Sequence, residues 1–227
     1  CRIEAAPLAA QPIRIERLQL RLAQVDARTI AGELAAGDAG ASFKARLQPE
    51  RIDIDWQLPP TEIAGVYRLL ESAIPEAHLA RIDGRIDARG SLQLPQRRAR
   101  IKVGIDGLAV GGLGTERLAS GPAGFACPDA EGLPVMRRVT PGEGRWISPA
   151  GSGALLAAAV LAAEDQRFHE HRGFDREGIA AVLASIDGEA PGRGASTISQ
   201  QLARTLFTGG ERTGARKLRE LLYAVEM

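Results

Sequence analysis

The chain is short of lysine and cysteine, carries no excess of either charge and lacks a long apolar run, and each shortage narrows what it can be. Only Lys44, Lys102 and Lys217 are lysine among 29 basic residues, the rest being arginine, so a lysine inside a motif stands out. Those basic residues face 28 acidic ones, a formal charge of +1, with no Lys/Arg-rich tract, so no nucleic-acid partner is expected. The two cysteines, Cys1 and Cys127, fit no CxxC or Cys/His spacing, which argues against a zinc site or a disulfide framework. The longest apolar run, Ala154 to Ala163, falls short of the ~20 residues that span a bilayer, and no secretory leader is visible. The sequence opens on Cys1 and stops within the helical pattern "ELLYAVEM", so it reads as part of a longer protein, with any membrane anchor expected outside it.

What is present divides in two. With 227 residues, 44% of them hydrophobic, the chain can form cores for two domains, and the predicted class is α+β. Residues 1–110 read as an antiparallel β-rich domain, because Phe43, Ala45, Leu47, then Ile52, Ile54, Trp56, Leu58, then Ile101, Val103, Ile105 alternate with polar residues. "RIDIDWQL", "RIDGRIDARGSLQL" and "RIKVGIDGLAVGG" resemble variants of one strand-turn unit. One helix over about 61–74 is expected to interrupt the strands, capped by Thr61 and carrying Ile63, Val66, Leu69 and Leu70. Glycine and proline crowd residues 111–150, which read as a junction.

Residues 151–227 switch to helical periodicity. Leu155, Leu156, Val160 and Leu161 mark a first helix ending at Glu164; Asp175 is placed to cap a second, with Ile179, Val182, Leu183 and Ile186; Thr197 starts a third, with Ile198, Leu202 and Leu206; and a fourth from Gly214 carries Leu218, Leu221, Leu222 and Val225.

A carboxylate at the end of an apolar helix, entering the polar loop "EDQRFHEHRGFD", is expected to be desolvated on one side, which suits Glu164 to general acid or base work. Phe168, Phe174 and Gly173 describe a compact loop that holds it. In "GRGASTISQQLART", Thr197 and Gln200 have capping-box spacing, and Thr197, Gln201 and Arg204 line one polar stripe at a helix start suited to phosphate. In "GARKLRE", Arg216 and Lys217 stand four and three residues before Glu220. Such pairs ordinarily add only ~0.2–0.5 kcal/mol of helix stability, but a lysine retained in an arginine-rich sequence points to a compact ammonium facing an anion.

"EDQRFHEHRGFD", "GASTISQQLART" and "RKLRE", in this order, resemble the first three motifs of the peptidoglycan glycosyltransferase family 51, found in class A penicillin-binding proteins and monofunctional transglycosylases. The resemblance covers residues 146–227 and implies that 151–227 is the N-terminal part of a truncated lysozyme-like domain. It implies Glu164 as the catalytic base, with Asp165, Phe168 and His171 in its supporting, substrate-contacting loop. Ser196, Thr197, Gln200, Gln201 and Arg204 would meet the donor, as would Arg216 and Lys217, while Glu220 is implied in catalysis and in holding a divalent cation, Mg or Mn, through the donor diphosphate. No organic cofactor is implied. The implied reaction polymerises lipid II into β-1,4 glycan with inversion, on the periplasmic side of a bacterial inner membrane, with lipid II, the growing strand, the membrane surface and cell-wall synthesis proteins as partners. Arg204 and Thr205 depart from the family's usual Lys and Asn, and the family's later motifs are not in this sequence, so the chain by itself is expected to show little or no turnover. The N-terminal part resembles AsmA-like envelope proteins, whose strands form hydrophobic grooves at membranes. Two alternatives stay open: a lytic lysozyme-like hydrolase, which leaves "STISQQ" and "RKLRE" without a role, and a non-catalytic envelope scaffold or lipid-binding protein.

Overall fold

The computed structural model describes residues 2–3, 13–96, 98–119, 121–144, 146–148, 150–176, 196–209 and 213–227. Six strands, β3 (Leu18–Asp26), β4 (Thr29–Ala36), β5 (Ala39–Gln48), β6 (Arg51–Glu62), β7 (Arg81–Leu94) and β8 (Arg98–Gly111), form one antiparallel meander in chain order. A short ribbon, β1 (Arg2–Ile3) with β2 (Ile13–Arg14), precedes it, and a hairpin, β9 (Ala123–Pro128) with β10 (Pro134–Val139), follows. The α-helices among the described residues are α1 (Ile63–Leu69), α2 (Ala154–Glu164), α3 (Ile198–Ala203) and α4 (Gly214–Glu226).

Register turns the period-two pattern into two chemically distinct faces. Leu22, Gly32, Phe43, Trp56, Gly90 and Ile101 are successive partners through all six strands. The adjacent row, Arg21, Glu33, Ser42, Gln57, Arg89 and Lys102, is polar throughout. Neighbouring residues of a strand point to opposite faces, so one side of the sheet is apolar and the other charged. The three related segments are the consecutive strands β6, β7 and β8.

At the β7–β8 end the apolar face is covered. Ile82 of β7 packs into a core with Ile13, Ile63, Tyr67, Ile74, Ala215 and Leu222, so residues from the ribbon, α1 and α4 share one interior with the sheet. Ile74 and Leu222 are fully buried, each contributing ~1.5–3 kcal/mol relative to exposure. Toward β3 the same face is open, and Leu18, Leu20 and Leu22 are exposed.

Four expectations are corrected. The interrupting helix is shorter than 61–74: β6 continues through a bulge at Pro59 and Pro60 to Glu62, and helix α1 spans only Ile63–Leu69, with a separate 3-10 turn at Pro75–His78. Thr61 does not cap it, because its hydroxyl donates to the Pro59 carbonyl at 2.7 Å. Residues 111–150 are more than a junction: Asp129 Oδ1 accepts from the Glu131 and Leu133 amides at 3.1 and 2.8 Å, folding the turn of the β9–β10 hairpin. Finally, α2 is not buried among the described residues; Leu155, Leu156 and Val160 are exposed, and so is Glu164 at its end. The helix expected after Asp175 falls in 177–195, outside the described residues. Among the described residues no helix is long and apolar enough to cross a membrane.

Candidate active site

The loop after α2 is built on Asp165, which is buried. Its Oδ2 accepts from the Ile198 amide at the start of α3 at 2.9 Å, and its Oδ1 meets His171 Nε2 at 2.9 Å. Phe168 stands edge-on to His171, ring centroids 6.2 Å apart, and Phe174 is buried beneath. Asp165, Phe168 and His171 therefore brace the loop from inside.

Thr197 and Gln200 complete a reciprocal capping box: the Thr197 hydroxyl accepts from the Gln200 amide at 3.2 Å, and Gln200 Oε1 accepts from the Thr197 amide at 3.0 Å. The same hydroxyl donates to the Gly173 carbonyl at 2.6 Å, tying α3 to the loop a second time. Gly173 has φ +80°, and a side chain there would run into the backbone of α4 at Ala224. The adjacent glutamines thus divide their work, since Gln201 Nε2 donates to Glu164 Oε2 at 3.0 Å and orients that carboxylate.

Helix α4 supplies the cations. Thr213 caps it, accepting from the Arg216 amide at 3.1 Å. Glu220 is fully buried; one carboxylate oxygen pairs with the Arg216 guanidinium and the other lies 3.0 Å from Lys217 Nζ. Lys217 Nζ also donates to Ser196 Oγ at 2.7 Å. A buried carboxylate flanked by two cations has its charge offset in place, and the Lys217 side chain that supplies one of them is half-exposed.

These elements meet around one cavity of about 780 Å³, lined among others by Glu164, Ser196, Gln201, Arg204, Lys217 and Glu220. Gln200 also reaches it. The carboxylate of Glu164 and the cations of Arg204 and Lys217 thus share one opening, whereas Thr197 and Arg216 are buried supports. Sequence reasoning missed Phe125, Ala126 and Cys127, which bring strand β9 to the cavity wall. The Asp-Ala-Glu-Gly turn that folds their hairpin, Asp129 to Gly132, was the available signal. Phe207 stacks on Tyr223 of α4 with centroids 4.2 Å apart. Burial pushes the Tyr223 phenol up, and the nearby Glu76 carboxylate adds to it.

The donor set does not fit a cation held by the protein alone. Both oxygens of Glu220 already face cationic side chains, and no group of three His, Cys, Asp or Glu ligands occurs among the described residues.

Residues 134–227 match the family model described as Transglycosylase. Similar proteins include penicillin-binding protein 1A of Haemophilus influenzae, 48% identical over 73 residues, which are 32% of this chain and 9% of that protein. A biosynthetic peptidoglycan transglycosylase of Aeromonas hydrophila is 44% identical over 72 residues, 32% of this chain and 31% of that protein. Penicillin-binding protein 4 of Bacillus subtilis is 37% identical over 101 residues, 44% of this chain and 16% of that protein. The family match is thus confined to the C-terminal part of the chain, where the three motifs lie, and the chain spans between about a tenth and a third of the length of these relatives. No solved structure matches the chain.

Proposed function

We propose that the chain carries the N-terminal part of a lysozyme-like peptidoglycan glycosyltransferase domain, which polymerises lipid II at the periplasmic face of a bacterial inner membrane. The observation that carries this reading is the single cavity shared by Glu164 and the cations Arg204 and Lys217. Glu164, held by Gln201, takes the proton from the acceptor sugar's hydroxyl as that oxygen attacks C1 of the donor sugar. The bond from C1 to the lipid diphosphate breaks with inversion, and the leaving diphosphate keeps the electron pair. Lys217 and Arg204 offset its charge, and Ser196 helps aim Lys217. Exposure of Glu164 suits a base that must meet an incoming hydroxyl. Residues 1–110 form the sheet domain of this reading, and the hairpin in 111–150 belongs to the cavity wall.

The test is polymerisation of lipid II by the native full-length protein that contains this chain and by its Glu164→Gln variant, with divalent cation varied. Glutamine preserves the partner for Gln201 and removes the base, so folding is expected to persist while turnover falls by about 10²–10⁴. Full polymerisation by Glu164→Gln, or none by the folded native protein, refutes the assignment.

A further inference from the structure

Helix α4 is gripped from the side opposite the cavity. Arg219 lies about 200° around the helix from Lys217. Its Nε donates to both oxygens of Glu76, at 2.9 and 2.8 Å, and its Nη2 adds a third bond at 2.8 Å. Glu76 is 4% exposed and sits in the 3-10 turn after α1, more than 140 residues away in sequence. Two further polar contacts follow the same side: the Tyr67 hydroxyl donates to the Leu218 carbonyl at 3.1 Å, and Glu226 accepts from the Leu113 and Thr115 amides at 2.6 and 3.2 Å.

A buried ion pair is weak evidence of stabilisation, since a well-packed apolar pair commonly does as well. What an arginine fork adds is direction, because two parallel bonds to one carboxylate fix the angle of approach. The apolar part of the seam, Ala215, Leu218 and Leu222, is made of smooth side chains that by themselves set no rotation of the helix about its axis. Glu226 and the Leu218 carbonyl hold its C-terminal end and its backbone, and the Arg219 fork is the side-chain contact that fixes direction nearest Lys217 and Glu220.

We infer that the Glu76–Arg219 pair is a positioning device, holding α4 at the one rotation that presents Lys217 and Glu220 to the cavity. The sheet domain thereby acts on the transfer step without touching substrate, an inference that rests on the proposed function. Glu76 and Arg219 are positioning residues.

The experiment compares the native protein with a Glu76→Leu/Arg219→Met double variant and, should that fold poorly, with Glu76→Gln. Two readouts are taken under conditions where each variant is fully folded. The first is kcat/KM for lipid II per folded molecule, expected to fall about tenfold to a hundredfold, with unfolding midpoint little changed in the double variant. The second needs no catalysis: the rate of amine modification of Lys217, read by mass spectrometry against the exposed sheet lysines Lys44 and Lys102. Hydrogen-bonded to Ser196 and ion-paired with Glu220, Lys217 is expected to react more slowly than either in the parent and to approach them in the variants. Unchanged Lys217 reactivity, or unchanged kcat/KM, overturns the inference. If the parent makes no polymer but Lys217 reactivity rises in the variants, the functional reading fails and the positioning role stands.

Discussion

Replacing Gly173 with alanine tests how closely the loop that follows Glu164 is fitted to α4. Two costs are expected. The first is conformational: at φ +80° an L side chain pays about 1–2 kcal/mol. The second is steric, because the new Cβ meets the Ala224 carbonyl and lies 2.9 Å from the Val225 amide nitrogen, backbone atoms of a helix seated on the sheet. The loop cannot retreat freely either, since the Gly173 carbonyl accepts the Thr197 hydroxyl at 2.6 Å. Overpacking of this kind costs about 1–3 kcal/mol, so Gly173→Ala should destabilise by about 2–5 kcal/mol. Gly142 provides the control, with φ also +80° and nothing within 4 Å of a Cβ built on it. Gly142→Ala should pay only the conformational part. The assay is urea unfolding of both variants, compared at equal slope. Equal losses would refute the close fit, leaving backbone conformation as the whole cost.

Two further outcomes are expected. Asp165→Ala strips the partner from the part-buried Ile198 amide and from His171, a loss of about 2–5 kcal/mol, with Asp165→Asn milder because it keeps one acceptor; thermal unfolding that does not separate the two variants would contradict the bracing role. Burial pushes the Tyr67 phenol up, so above about pH 10 the unfolded chain releases that proton first and the folded state holds the excess, and stability falls as pH rises, by up to about 1.4 kcal/mol per unit. The stabilisation is fully present below that pH. Urea titrations at about pH 9 and about pH 11 should therefore show a smaller drop for Tyr67→Phe than for wild type, Tyr223 contributing equally to both, and an identical drop would refute it.

The strands were legible because alternation is local and the register conserves it: Phe43 meets Trp56, and Trp56 meets Gly90, so each strand's pattern continues in the next. The capping box at Thr197 and Gln200 was legible for the same reason, its two partners being three residues apart. The exposure of Glu164 was not, because an apolar helix says what it could bury and not what is there to cover it. Nor was the end of β6, where Pro59 and Pro60 suggested a break and a bulge absorbed them. The pairings of α4 were beyond reach: "RKLRE" displays Arg219 beside Lys217, but nothing local tells which of them faces Glu76.

The order of the meander bears on how the molecule assembles. Every strand of the large sheet pairs with its neighbour in the chain, and all but the β6–β7 pair, whose connection carries α1, close over a short loop, so the sheet can form as the chain is made. Helix α4 comes last of the described elements, and its polar contacts to Tyr67, Glu76 and Leu113 reach back 151, 143 and 113 residues. Those closures depend on a finished surface. The cavity is thus expected to form late, so that a defect in the sheet delays or misplaces the site, whereas a defect in α4 leaves a folded sheet with no site to serve.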